Sequence, residues 1–191
     1  MKKIILASTS PRRKEILEKL KMPFEIQESN YEEDMTLDMT PEKLAEYLSM
    51  GKAKAVAGKN ENAIIIAADT FVVYKDKLLG KPKSVESAKE MLEMLSGKEH
   101  EIITGVAIID TGTGKVKSFS GFTKVFFEKL TPEIIDAYIK TGEPMDKAGS
   151  YAMQEIGALL INRIEGDFFN AMGLPLKRLV EELKDFGVFV L

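Results

Sequence analysis

The 191-residue chain has no cysteine and a single histidine, His100. The missing thiols exclude disulfides, thiolate nucleophiles and cysteine-ligated zinc. One histidine leaves a Ser-His-Asp triad without support, and His100, near an expected strand start, reads as structural or exposed. Neither Gly-x-Gly-x-x-Gly nor the P-loop pattern occurs. Long apolar runs are missing too: the best, over residues 63–73, is broken by Asp69 and Thr70, well short of the ~20 residues of a membrane span. The 27 Lys and Arg against 30 Asp and Glu give a net charge of −3, so no field of one sign gathers nucleic acid or an anionic membrane. The Met1-Lys2-Lys3 start leads into a strand too short for the apolar stretch of a signal peptide. Together these absences predict a cytoplasmic protein with no nucleic-acid and no membrane partner.

What is present is enough apolar material, 45% of residues, for a real core. Strand and helix signals alternate along 1–191 as one domain. Strands are expected over 3–7, 24–27, 63–73, 158–164 and 188–191, with a polar turn around Lys75-Asp76-Lys77 after the third. A hairpin is expected from 101–110 and 116–128, turning on Thr111-Gly112-Thr113-Gly114, where both glycines allow positive φ. Helices are expected after Ser10-Pro11, after Thr40-Pro41 to about Gly58, after Ser84 with Val85, Ala88, Leu92 and Leu95 inward, from Thr131-Pro132 to Gly142, and from Pro175. The order predicts an α/β fold with a mixed twisted sheet and flanking helices.

Several residues break the rules of their surroundings. Ser8-Thr9-Ser10-Pro11-Arg12-Arg13 places two arginines in the first turn of a helix, where free N–H groups ordinarily attract acids. Hydroxyls, N–H groups and two guanidiniums converging there describe a phosphate pocket. Asp69 and Thr70 interrupt a buried strand; a carboxylate there costs several kcal/mol, roughly, unless it is paired or working. Lys52 follows Leu44 and Leu48 at helical spacing and is expected to point inward. Lys81 stands in Gly80-Lys81-Pro82, a stiff turn open to close backbone approach. Glu32, Glu33 and Asp34 form an acidic loop able to hold a hard cation. The loop 142–154 ends in Gln154, whose amide can donate and accept together, as the imide edge of uracil or thymine requires. A second loop, 166–175, joins the last long strand to the final helix.

In sequence, Ser8 to Leu17, Lys52-Ala53, Ala67-Ala68-Asp69-Thr70, Gly80-Lys81-Pro82, Gly142-Glu143-Pro144 through Asp146-Lys147-Ala148-Gly149 to Gln154, and Gly166-Asp167 through Asn170 to Gly173-Leu174-Pro175 resemble the Maf family of nucleoside triphosphate pyrophosphatases over nearly the whole chain. The resemblance implies an elongated two-lobed fold similar to inosine triphosphate pyrophosphatases with a central cleft, a homodimer, a divalent cation (Mg²⁺ or Mn²⁺), and hydrolysis of a nucleoside triphosphate to monophosphate and pyrophosphate. Asp69 matches the family's proton acceptor. Arg12, Thr70 and Gln154 match the positions separating its substrate branches and point to dTTP and UTP; the 7-methyl-GTP branch has an aromatic residue in place of Arg12. Phe169 and Ala171 depart from the usual Tyr and Val around Asn170. On this reading Ser8, Arg12, Arg13, Lys52, Thr70, Lys81 and Gln154 bind substrate. The cations depress the pKa of Asp69, and Asp69 with Glu33 contacts the metal. Two alternatives stay open: a nucleotide-binding regulator of septum formation in cell division, and a pyrophosphatase for purine triphosphates such as ITP.

Overall fold

The computed structural model describes residues 2–190. In chain order the elements are β1 (Lys3–Leu6), α1 (Pro11–Glu18), β2 (Glu25–Ile26), α2 (Pro41–Ala57), β3 (Ala63–Tyr74), β4 (Lys77–Leu79), α3 (Val85–Leu95), β5 (Glu99–Asp110), β6 (Val116–Phe127), α4 (Pro132–Lys140), β7 (Ile161–Gly166), α5 (Phe168–Met172) and α6 (Leu176–Leu183). The chain forms two compact units. The first takes the described residues up to Thr70, Thr104–Gly121, and those from Gly173 onward; the second takes Phe71–Ile103 and Phe122–Met172. Among the described residues no helix is long and apolar enough to cross a membrane.

In the first unit β1 runs parallel to both neighbours, pairing Ile5 with Glu25 of β2 and Ile5 with Ile65 of β3. Ile4, Ile5 and Leu6 of β1 and Ala63 to Ala68 of β3 are buried, the continuous apolar run of strands covered on both faces. Helix α2 is capped by Thr40, whose hydroxyl accepts from the Lys43 N–H at 3.4 Å, and Pro41 presets its first turn. Its Leu44, Leu48, Lys52 and Val56, each four apart, are all buried. Gly105 of β5 brings this helix close, since a Cβ there would stand 2.2 Å from the Ala45 carbonyl carbon.

The second unit has its own core, in which Val72, Leu92, Leu95, Ile102, Val125, Phe127, Tyr138 and Tyr151 pack together. Strand β7 pairs antiparallel with β6, Thr123 opposite Gly166, and β4 pairs antiparallel with β3, Val72 opposite Leu79. The mixed α/β sheet is therefore as expected, with differences at the ends of elements. Lys75 (φ 47°) and Asp76 (φ 64°) make the tight turn that folds β4 back on β3, where only a polar turn was expected. Residues 156–160 form a 3₁₀ turn, so β7 starts later than residue 158. In the β5–β6 turn only Gly114 takes positive φ (74°); Gly112 instead donates its N–H to Asp110 Oδ1 at 2.9 Å. Val85 is 52% exposed rather than inward, being the first residue of α3. Of the expected closing strand, residues 188–190 carry none, and Leu191 lies outside the described residues.

His100 proves structural. It is 2% exposed, packed edge-on against Phe127 and Tyr151, with Nε2 2.6 Å from the Tyr151 hydroxyl. Burial lowers its pKa from 6.5 to about 4. The unfolded chain binds this proton below pH 6.5 and the native state does not, so stability is complete above pH 6.5 and falls as pH drops toward about 4. The loss is on the order of 3 kcal/mol. Urea unfolding of wild type and His100→Gln between pH 7 and 4.5 checks this: the variant is less stable at pH 7 and loses less on acidification.

Candidate active site

The centre of the first unit's site is an ion-paired chain of three charges. Asp69, 6% exposed, is presented by buried β3; Lys52, 9% exposed, reaches it from α2 because α2 lies directly on Gly105. The Lys52 ammonium bonds Asp69 Oδ1 and, at 2.8 Å, Glu33 Oε1. The inward turn of Lys52 is thus as its spacing implied. Asp69 Oδ2 is buried with no hydrogen-bond partner. Burial is the largest influence on this carboxyl and pushes its pKa above the ordinary range; Lys52 and Arg13 pull it back only in part, and Glu33 adds to the rise. This reverses the depressed pKa expected from counting cations, because the same packing that gathers them strips water from the carboxylate. The result is a more basic carboxyl with one buried oxygen unpartnered.

Beside it, Arg13 ties three segments together. Its Nε donates to the Gly173 carbonyl at 3.0 Å, one terminal nitrogen to Ser8 Oγ at 3.3 Å and the other to Thr70 Oγ1 at 3.1 Å. Burial is the main influence lowering its pKa, opposed by Asp69. Ser8 Oγ also accepts the Ser10 N–H at 3.2 Å, so Ser10 heads α1 without a side-chain cap of its own. Arg12 is half-buried in the same first turn, and its charge adds to the lowering at Arg13. Thr70 Oγ1 lies 3.0 Å from Thr104 Oγ1 of β5, a fully buried hydroxyl that sequence reasoning missed. The signal was there: Thr104 interrupts Ile102-Ile103 and Val106 as Asp69 and Thr70 interrupt β3.

In the acidic loop, Asp34 bonds Thr36 through both N–H (2.9 Å) and hydroxyl (2.6 Å), which lowers its pKa and makes it a turn-former. Among the described residues no group of three or more Asp, Glu or His gathers as a metal cage. The loop rests on α2 through Tyr31, whose ring lies on Gly51: a Cβ there would stand 2.2 Å from Tyr31 Cζ. Gly51→Ala therefore lifts the ring, although alanine favours the helix by about 0.5–1 kcal/mol. Hydrogen exchange is expected to quicken roughly tenfold across residues 30–36 while α2 stays protected.

Lys81 and Gln154 belong to the second unit. There the Gly149 N–H donates to the Gly80 carbonyl at 3.1 Å, joining the two loops that carry them; Lys81 is exposed and Gln154 half-buried. Close approach requires Gly149 (φ 69°), whose Cβ would meet Val72 Cγ1 at 2.9 Å. Lys147 is buried, 2.6 Å from Asp146 and 3.9 Å from Glu155. Asn170 is structural, its Nδ2 donating to the Ile102 carbonyl at 3.1 Å and to Thr123 Oγ1 at 2.9 Å.

A family model described as Maf-like protein matches residues 3–186. The dTTP/UTP pyrophosphatase of Bacillus cereus (strain ATCC 10987 / NRS 248) is 50% identical over 190 residues, 100% of this chain and 93% of that one. The dTTP/UTP pyrophosphatase of Geobacillus sp. (strain WCH70) is 51% identical over 187 residues, 98% of this chain and 100% of that one. Among solved structures, the Staphylococcus aureus Ham1 protein aligns with a TM-score of 0.52 at 13% identity, covering 98% of this chain and 100% of that one, a likeness of fold. With a family model matched from residue 3 to 186 and relatives about half identical along the full length, the chain belongs to the Maf-like protein family.

Proposed function

We propose that this protein is a nucleoside triphosphate pyrophosphatase acting on dTTP and UTP, with Asp69 as the proton acceptor. The observation that carries the reading is Asp69 itself: a buried carboxyl of raised basicity with Oδ2 unpartnered, in a unit that also gathers Lys52, Arg13 and Arg12. The names of relatives about half identical over their full length support the substrate class.

The carboxylates of Asp69 and the half-exposed Glu33, both reached by Lys52, are oxygen donors of the kind that would hold a divalent cation, Mg²⁺ or Mn²⁺. Bound there, the cation supplies charge neutralisation and acidifies water. The chain's own residues account for the rest. Arg12 and Lys52 offset part of the roughly four negative charges of a triphosphate. Asp69 Oδ2 takes the proton of the attacking water as its oxygen bonds the α-phosphorus, and the bond from that phosphorus to the bridging oxygen breaks, so that pyrophosphate leaves with the electron pair. Arg13 holds Ser8 and Thr70 in place around the entering phosphates. Family resemblance alone assigns Lys81 to substrate binding and Gln154 to the base. Family resemblance also supports a homodimer, and the cysteine-free composition supports a cytoplasmic setting.

A panel of UTP, dTTP, CTP, ITP and 7-methyl-GTP with Mg²⁺, assayed for pyrophosphate and repeated with chelator, tests the proposal. Release is expected from UTP and dTTP first and is lost without metal. Release from ITP first moves the substrate class to purines, and release from none favours a nucleotide-binding regulator.

A further inference from the structure

The carboxamide of Gln154 cannot by itself tell uracil from cytosine. Turned over, it offers the cytosine edge an acceptor and a donor as good as those it offers the imide edge. Discrimination therefore depends on what fixes the segment around it. Residues 151–155 are in neither helix nor strand, yet both flanks of Gln154 are tied to one pair of side chains. On one side the Ala152 N–H donates to the Tyr138 hydroxyl at 3.3 Å. On the other, the Gly157 N–H donates to Glu143 Oε1 at 2.9 Å and the Ile156 N–H to Glu143 Oε2 at 3.0 Å. The Tyr138 hydroxyl closes the clamp by donating to Glu143 Oε1 at 2.7 Å. All these residues lie in the second unit.

Each part of the clamp is anchored. Tyr138 is 3% exposed on the inner face of α4, and Gly142 (φ 78°) ends that helix so that Glu143 turns back beneath it. Gly157 admits the close approach, since a Cβ there would stand 2.5 Å from both the Ala152 carbonyl oxygen and the Tyr138 hydroxyl. A carboxylate suits the position because it accepts three donors and offers none; an amide of the same shape turns an N–H₂ toward an N–H.

We propose that Glu143 and Tyr138 are positioning residues for base selection, holding the backbone on both sides of Gln154 so that its amide presents one fixed pattern. The proposal rests on the reading of Gln154 as the base contact. It adds that selectivity is set 11 and 16 positions upstream, by side chains that touch no substrate.

Steady-state kinetics with UTP and CTP test it in Glu143→Gln, Tyr138→Phe and Gln154→Leu. In the two clamp variants the UTP:CTP ratio of kcat/KM is expected to fall ~10-fold, mainly through a higher KM for UTP, with kcat at saturation changed far less. If Glu143→Gln melts below assay temperature, Tyr138→Phe, which removes one hydroxyl from the same clamp, decides. An unchanged ratio in the folded clamp variants, with a changed ratio in Gln154→Leu, overturns the positioning role. An unchanged ratio in Gln154→Leu overturns the base contact itself and the positioning role with it, while leaving pyrophosphate release from UTP intact as a separate result.

Discussion

Asp69→Asn is expected to lower kcat for UTP by ~10²–10⁴-fold while the protein stays folded. The substitution keeps the shape of the side chain, and an amide oxygen can still accept from Lys52 where Oδ1 does now. What disappears is a group with both an unpartnered oxygen and elevated proton affinity. An amide cannot take the proton of the attacking water, so the loss falls on kcat more than on triphosphate affinity. Single-turnover kinetics with a nucleotide-binding titration separate the two quantities. Turnover within a few-fold of wild type eliminates Asp69 as proton acceptor.

Lys52→Met is expected to cost both stability and activity. It leaves Asp69 buried without its cation, and breaking one side of such a pair typically costs about 3–5 kcal/mol. The sign with pH follows from Asp69, whose native pKa already lies above its unfolded value and rises further when Lys52 is gone. A buried acid with a raised pKa binds its proton more readily folded than unfolded, so stability declines as pH climbs from the unfolded value through the native one. The Lys52→Met deficit is therefore larger at pH 8 than at pH 5, opposite to the acid-side loss assigned to His100. Urea midpoints at the two pH values measure it. Lys52→Met with Asp69→Asn should recover part of the stability, because a neutral amide needs no counter-ion; a double variant as unstable as the lysine variant alone would show that lost packing of the Lys52 stem is the cause.

Sequence periodicity reached Lys52 because α2 obeys a strict four-residue spacing, and a lysine on an apolar stripe has few physical excuses. Asp69 was legible for a related reason: a charge inside a β-branched run is costly enough to need explanation. Thr104 escaped because a hydroxyl costs much less to bury than a carboxylate and leaves a fainter mark in the same kind of run. The Asp69 pKa was misread, since neighbouring charges can be counted in a sequence whereas the withdrawal of water cannot. Arg13 looked like a free phosphate ligand; its engagement with Gly173, some 160 residues away, depends on a tertiary contact that no local pattern announces. Strand β4 was missed for another reason: Lys75 and Asp76, legible as a polar turn, take positive φ without glycine, so nothing marked that turn as a tight one that folds the chain back on β3.

The bare Cα of Gly105 has a use that no functional group could fill. Because the main chain of α2 at Ala45 and Glu46 lies against it, any substituent would act as a wedge that tilts the helix. Lys52, seven residues further along that helix, would swing away from its carboxylate. A mutational scan of this protein would therefore score an inert position on β5 almost as severely as the ionic centre, and mistake a hinge of geometry for a reagent.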